Sequence, residues 1–430
     1  MTAFLFISLL GFMFLGIPIS LSIGLSSLLY IILNDVPILV LVQRMFTGTD
    51  SIVLVAIPCF IVAGAVMEVG GLASRLTKAA DAVIGRITGG LSIVTIMTCM
   101  LFAAISGSNV ATTAAVGGIM VPEMEKRGYD KAYSATVAAA GGVMGVIIPP
   151  SLSMVIYSSI TGTSLAALFM AGIPVGIIMA IGMSIVCYIY AKRAGYSGSG
   201  KKSGKEIASA LKDALWALGT PVIMIGGIMG GIFTPSEAAV VAVVYGIVVS
   251  IFVYKEITIK DLPGIFLKGI VTSAKIMFIM ANAAVLGWIM ASEQIPQQIF
   301  NAVSSVSGNP IILLLLINVI LLIAGCFMET GALLIIVTPI LIPFISAIGV
   351  SPIQFGLMMI LNLSIGNLTP PLGVCLYTGA MVAKCRVEDV SKRVLPFLAV
   401  LLIILMLTTY VDEVTMFLPR IIMPQVVGGY

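Results

Sequence analysis

Residues 104–150 align without a gap onto residues 325–371, at a constant offset of 221 (325 − 104). Pro122 falls on Pro343, Gly128 on Gly349, Gly145 on Gly366, and Pro149-Pro150 on Pro370-Pro371. The matched residues are mostly glycine and proline, the two types that dictate backbone shape. Each copy interrupts an apolar stretch. Paired Gly/Pro-interrupted hydrophobic segments in two halves of one chain point to the binding site of a membrane transporter.

Composition places these copies in a bilayer. Hydrophobic residues make up 60% of the 430 and charged residues 9%, more apolar surface than a soluble chain of this length could cover. Stretches such as 52–69, 169–191, 235–254, 271–291 and 395–411 meet the requirement of about 20 apolar residues per helical span. The expectation is an all-α polytopic membrane protein. Residues 1–33 lack a charged n-region and a small-residue cleavage site, and read as membrane segment, one bent span or two short ones. The chain has no histidine, which removes His-based zinc sites, Ser-His catalysis and His proton relays. The six cysteines are scattered without CxxC spacing and read as small buried hydrophobes. Net charge is only +4 and no basic domain stands outside the membrane, so nucleic-acid binding is not expected.

Basic residues set the topology, because Lys and Arg mark cytoplasmic loops. A run of Lys192, Arg193, Lys201, Lys202, Lys205 and Lys212 with interspersed Gly and Ser reads as a solvated cytoplasmic linker, 193–213, joining a first repeat (1–192) to a second (214–430). Lys126, Arg127 and Lys131 follow the first interruption, whereas the equivalent loop 344–352 is uncharged. Residues 161–172 are uncharged, whereas their counterparts 382–393 hold Lys384, Arg386, Lys392 and Arg393. Basic loops alternate between copies, so the copies lie upside down relative to each other, an inverted-topology repeat.

Within each repeat, a fifteen-residue apolar run such as 91–105 reaches about 22 Å as a helix, short of a full crossing. It ends at the polar turn Ser106-Gly107-Ser108-Asn109. Re-entrant helical hairpins are expected over about 91–121 and 311–343. Such tips must be buried in protein or line a wet cavity, because unpaired backbone groups in lipid cost several kcal/mol each. Broken spans follow over about 129–161 and 352–383, opened at Pro149, Pro150, Pro370 and Pro371 because proline lacks an N–H and clashes with the preceding turn. Freed carbonyls suit a hard cation such as Na⁺, and half-helix N-termini suit an anion. A lone Ser-Gly-Ser or Pro-Pro would mean close packing or a kink; the same combination twice, at matched spacing and opposite orientation, favours one cation site per repeat with an anion between them.

Four stretches together, Ile105-Ser106-Gly107-Ser108, Ile147-Ile148-Pro149-Pro150-Ser151, Gly231 to Ala239 with its Thr-Pro-Ser-Glu core, and Ile365-Gly366-Asn367-Leu368-Thr369-Pro370-Pro371, resemble the large membrane subunit of tripartite ATP-independent periplasmic (TRAP) transporters along essentially the whole chain. The resemblance implies sodium-driven import of an organic anion, a C4-dicarboxylate or a sugar acid such as sialic acid, across a bacterial inner membrane. It implies an elevator-type movement, a small membrane subunit as a separate chain, and a periplasmic binding protein that delivers substrate. Carried over residue by residue, a first Na⁺ site would draw on Ser106, Ser108 and Asn109 with carbonyls around Gly142, Gly145 and Val146. A second would draw on Met328, Glu329 and Thr330 with Gly366, Asn367 and Thr369. Family members often carry an Asp and a Thr-Pro near this second tip, where Glu329-Thr330-Gly331 stands here.

Glu329 is an acid expected inside the membrane, and such acids are functional by default; cation ligand, proton carrier and N-cap of the returning arm are its three readings. Glu237 reads as structural, with Thr234 as N-cap and Pro235 at the first helical position. Glu68 and Asp81 are expected at interfaces. An enzyme would need a nucleophile-base pair, a carboxylate pair or a metal cluster, and the sequence offers none. A channel would bring re-entrant loops together at a pore, without broken spans beside them. A proton-coupled carrier is the nearest alternative to a sodium-coupled one.

Overall fold

The structure, a computed structural model, describes residues 2–427 other than 199, 201 and 307. Those residues form helices and connecting turns, with no strand among them. The N-terminal stretch forms two helices, α1 (Thr2–Phe14) and α2 (Ile19–Leu33), packed on each other. Gly16, at φ +79°, turns the chain between them where Pro18 cannot continue a helix. Then come α3 (Leu39–Thr49), α4 (Ile52–Val69) and α5 (Leu72–Ile84). The amphipathic α5 buries Leu72, Leu76 and Ala80, while Arg75 pairs with Glu256 at 2.8 Å and Asp81 pairs with Lys202.

The first hairpin is α6 (Gly90–Ser106) and α7 (Asn109–Lys126), and the first broken span is α8 (Lys131–Gly142), a 3₁₀ turn (Val143–Val146) and α9 (Leu152–Thr161). A 30-residue helix, α10 (Leu165–Ala194), closes the repeat. After the junction come α11 (Gly204–Met229), α12 (Pro235–Val248) with a π turn (Val249–Val253), α13 (Leu262–Ser292) and α14 (Ile295–Val306). The second hairpin is α15 (Pro310–Gly325) and α16 (Thr330–Ile348), followed by the broken span α17 (Pro352–Gly366) and α18 (Val374–Ala383), then α19 (Val387–Tyr410), α20 (Glu413–Ile422) and α21 (Pro424–Val427). Among the described residues α10, α11, α12 with its π turn, α13 and α19 are individually long and apolar enough to cross a bilayer.

The aligned glycines have a common cause. Gly128 and Gly349, at φ +81° and +72°, each end a returning hairpin arm in the left-handed region. Both Pro-Pro bonds are cis. The hairpins run longer than their sequence bounds, and they differ: α6 and α7 pack along each other, whereas α15 leans mainly on α17 and diverges from α16.

Contacts between the repeats show the inversion directly. Asp130, at the start of the first broken span, pairs with Arg393 (2.9 Å), just past the end of the second. The Tyr157 hydroxyl, near the end of the first broken span, donates to the Pro352 carbonyl (2.9 Å), at the start of the second. The two spans therefore run antiparallel. Near their middle the Ser364 hydroxyl donates to the Val143 carbonyl (2.8 Å); 143 and 364 are equivalent positions, 221 apart, so the pseudo-two-fold axis passes beside this bond.

The expected linker 193–213 is shorter and better anchored than a solvated loop. A capping box, Ser203 with Glu206, starts α11 at Gly204. Tyr196 stacks on Tyr129 (ring centroids 4.1 Å), its hydroxyl accepts from the Asp130 N–H (2.9 Å), and Tyr129 donates to the Ser197 carbonyl. The Gly-Ser composition conceals this because the anchors are the aromatic residues at the loop's edge.

Candidate transport site between the hairpin tips

The first tip is built by helix ends. Gly107, at φ +59°, ends α6, and Ser108 caps α7, its hydroxyl facing the Ala111 N–H at 3.5 Å. The Ser106 hydroxyl lies 2.6 Å from the Thr112 hydroxyl. Asn109 donates from Nδ2 to the Ser364 hydroxyl (3.0 Å), so the first tip is tied to the second repeat at the pseudo-axis. The Asn109 Oδ1 is buried and has no hydrogen-bond partner.

The broken span presses against this tip. A Cβ on Gly145 would fall 2.3 Å from the Ser108 carbonyl oxygen, and one on Gly142 would fall 1.8 Å from the Thr113 hydroxyl and 3.1 Å from the Asn109 carbonyl oxygen. Glycine at both positions lets the break lie directly against the backbone of the tip. The Val146 carbonyl accepts from the Ser151 hydroxyl (2.6 Å), and Ser151 caps α9. Pro149 and Pro150 place this cap: the Pro150 carbonyl lies 3.0 Å from where a Gly107 Cβ would be. Ser106, Ser108, Asn109, Gly142, Gly145 and Val146 thus converge.

The second tip is satisfied internally. The Asn367 amide meets both its needs when its nitrogen donates to the Met328 carbonyl (3.1 Å) and the Gly325 carbonyl (3.3 Å) while its oxygen accepts from the Thr330 hydroxyl (2.9 Å). Gly366 abuts Gly325, where a Cβ would fall 2.5 Å from a carbonyl carbon. The Thr369 hydroxyl turns back to the Ile365 carbonyl (2.8 Å). Beyond Pro370 and Pro371 the chain re-enters helix at Val374, with the Cys375 N–H donating to the Asn367 carbonyl (2.9 Å). Of the three readings of Glu329, the structure displays the cap: its carboxylate accepts from the Gly331 (3.0 Å) and Ala332 (3.3 Å) N–H groups. Ser108 and Glu329 are equivalent positions and cap equivalent arms.

Both caps face one space. A cavity of about 610 Å³ lies between the first tip and helices α4 and α13, and reaches Glu329. A smaller one of about 40 Å³ joins Ser108, Leu152 and Glu329. The N-termini of α7, α9 and α16 therefore converge on it; those of α7 and α9 bring partial positive charge, whereas that of α16 is already met by the Glu329 carboxylate. Four charged side chains line these walls: Glu329, Glu68 on α4, and Lys268 and Lys275 on α13. Glu68, expected at an interface, instead faces the cavity. Lys268 reads from sequence as part of a basic loop with Lys255 and Lys260; it lies within α13 instead. Lys275 is the residue sequence reasoning missed. Its signal was present, a single charge in the apolar stretch 271–291.

Glu237 is structural as expected: Thr234 and Glu237 form a capping box with Pro235 at the first helical position. The six cysteines are free.

Inverted repeats, each with a hairpin and a broken span, and with both hairpin tips lining one cavity, are the architecture of many membrane transporters. Residues 6–414 match the family described as the tripartite ATP-independent periplasmic transporter, DctM component, and the chain belongs to that family. It is 42% identical over 94% of its length to the isethionate TRAP transporter permease protein DctMQ of Oleidesulfovibrio alaskensis, of whose length it spans 64%. It is 37% identical to the C4-dicarboxylate TRAP transporter large permease protein DctM of Vibrio cholerae, with 99% of each chain covered. It is also 37% identical to the sialic acid large permease protein SiaM of the same species, covering 96% of this chain and 97% of that one. Among solved structures, the YdaH transporter of Alcanivorax borkumensis shares the fold, with a TM-score of 0.58 at 15% identity over 85% of this chain and 86% of that one. The chain is a multi-pass membrane permease component and not an enzyme.

Proposed function

We propose that this chain is the large permease of a sodium-coupled importer of a small organic anion, seated in a bacterial inner membrane. It works with a small membrane subunit and a periplasmic binding protein, and the hairpin repeats move as an elevator against the remaining helices. The relatives are named for C4-dicarboxylate, sialic acid and isethionate, all small acids, which supports a substrate of that class for this chain. One observation carries the reading: Ser108 and Glu329, equivalent caps of oppositely oriented hairpins, line the same cavity beside the first helix break. Na⁺ travels as cargo. The buried, unpartnered Asn109 Oδ1, on a tip whose Ser108 and Asn109 carbonyl oxygens are closely approached by Gly145 and Gly142, supports a first cation position there. The second position rests on Met328, Glu329, Thr330, Gly366, Asn367 and Thr369, whose oxygens are already engaged with one another or with backbone.

The first test is thermal stability of the purified chain in NaCl against equimolar KCl. A ligand bound only by the folded state adds RT ln(1 + [L]/Kd), about 2.7 kcal/mol at a hundredfold excess over Kd. A Na⁺-specific rise that Asn109→Ala abolishes is the expected result. Glu329, a carboxylate on the cavity wall, favours proton coupling as the second reading. Uptake into proteoliposomes that follows an imposed pH gradient and ignores a sodium gradient would select it.

A further inference from the structure

We infer that Lys268, Thr272 and Lys275 of α13 form the stationary half of the anion site, with Lys275 holding the substrate's carboxylate or sulfonate group while the first hairpin tip faces this cavity. The inference rests on the organic-anion reading above and assigns its charge recognition to residues outside both hairpins.

The three residues line the cavity of about 610 Å³ opposite Ser106 and Ser108. Their spacing, four then three, puts them on one stripe of a helix. Lys275 lies about 10 Å further along the axis than Lys268, at 1.5 Å per residue. Among the described residues neither lysine has a carboxylate within ion-pair distance. Glu68 is near enough to Lys268 to feel its charge, so Lys275 is the less balanced of the two. An ammonium group in a membrane helix is costly unless it faces water or an anion, and such residues mark a substrate path. The N-termini of α7 and α9 also face this cavity, and of its two carboxylates Glu329 is engaged with two backbone N–H groups, which leaves Glu68 as the acid set against the two lysines. Lys268 sits nearer the basic end of α13, with Lys255 and Lys260 just beyond, so the two lysines form a graded path along which an anion released from the tip leaves the cavity.

The test works whichever organic anion is carried. Ala111, on the opposite wall, is changed to cysteine in the full chain after its six native cysteines are replaced by serine. Reaction rates are measured with an anionic sulfonatoethyl methanethiosulfonate and a neutral hydroxyethyl one. Lys275→Gln should lower the anionic-to-neutral rate ratio roughly fivefold, the size of one unit charge acting across a wet cleft. Lys275→Arg should restore it, and an unchanged neutral rate shows that the fold is intact. Lys268→Gln should lower it less. A ratio indifferent to both lysines overturns the inference, even where the wild-type complex takes up an organic acid. A charge-dependent ratio with no uptake of a C4-dicarboxylate, isethionate or sialic acid would instead sink the transport reading and leave the anion site standing.

Discussion

At Gly145 a single hydrogen decides the geometry of the first tip. The Ser108 carbonyl oxygen and the Asn109 nitrogen lie 2.3 Å and 2.8 Å from the position of an added Cβ, and both are backbone atoms that cannot rotate aside. Gly145→Ala is therefore overpacking against a fixed wall, a class of change that costs about 1–3 kcal/mol. Thermal unfolding in detergent should show a clear fall for Gly145→Ala. Gly118→Ala, at a helical position with nothing within 4 Å, should be neutral or stabilising, because alanine costs less backbone entropy than glycine in a helix. If the two variants melt alike, the tip and the break do not touch as described. The aligned glycine was visible in the sequence as a shape requirement. Its partner was not, because spacing along the chain does not say which distant strand comes within van der Waals reach.

The second hairpin is held as an element by side-chain amides rather than by its own arms. Asn318 on α15 accepts from Asn362 on α17 at both its carbonyl (2.9 Å) and its Oδ1 (2.7 Å), and donates to the Thr409 hydroxyl on α19 (3.1 Å). Gln354 on α17 also donates to the Thr408 and Thr409 carbonyls. This network accounts for α15 following α17 and leaving α16. Interhelical hydrogen bonds in membrane proteins average about 0.6 kcal/mol and reach about 1.7, so Asn362→Leu should lower stability by an amount in that range. The double variant Asn318→Leu with Asn362→Leu should lose less than the sum of the singles, since neither amide is then left without the other. Strictly additive melting shifts would mean the amides act independently. Hairpins and breaks were legible because glycine and proline act locally, through φ and a missing N–H. The amide network was not, because an asparagine in an apolar run looks the same whether it packs or bridges. Lys275 illustrates the same limit: its position in a span was readable, but the wall it faces is set by how α13 packs on α4.

For the whole molecule, antiparallel broken spans joined by Asp130–Arg393 and Tyr157–Pro352 make the hairpins and broken spans of the two repeats one body around the pseudo-axis. Helices α4 and α13 meet that body along α6, α9 and α16. Elevator movement requires this second boundary to slide while the first stays closed. Gly287 on α13 and Pro339 on α16 offer a direct probe, since a Cβ on Gly287 would lie 4.0 Å from the Pro339 Cβ. That separation falls within the Cβ–Cβ range of a disulfide, about 3.5–4.5 Å. Gly287→Cys with Pro339→Cys, in a chain without its native cysteines, should cross-link on mild oxidation and hold the permease with its first tip facing the lysine-lined cavity. Transport by the reconstituted complex should then stop and return when the bond is reduced, while each single variant stays insensitive to oxidant. Undiminished transport by the quantitatively cross-linked protein would mean that α16 does not move past α13. In that case the conformational change would have to lie within the repeats, where the Asn109–Ser364–Val143 link at the pseudo-axis is the contact that would have to break.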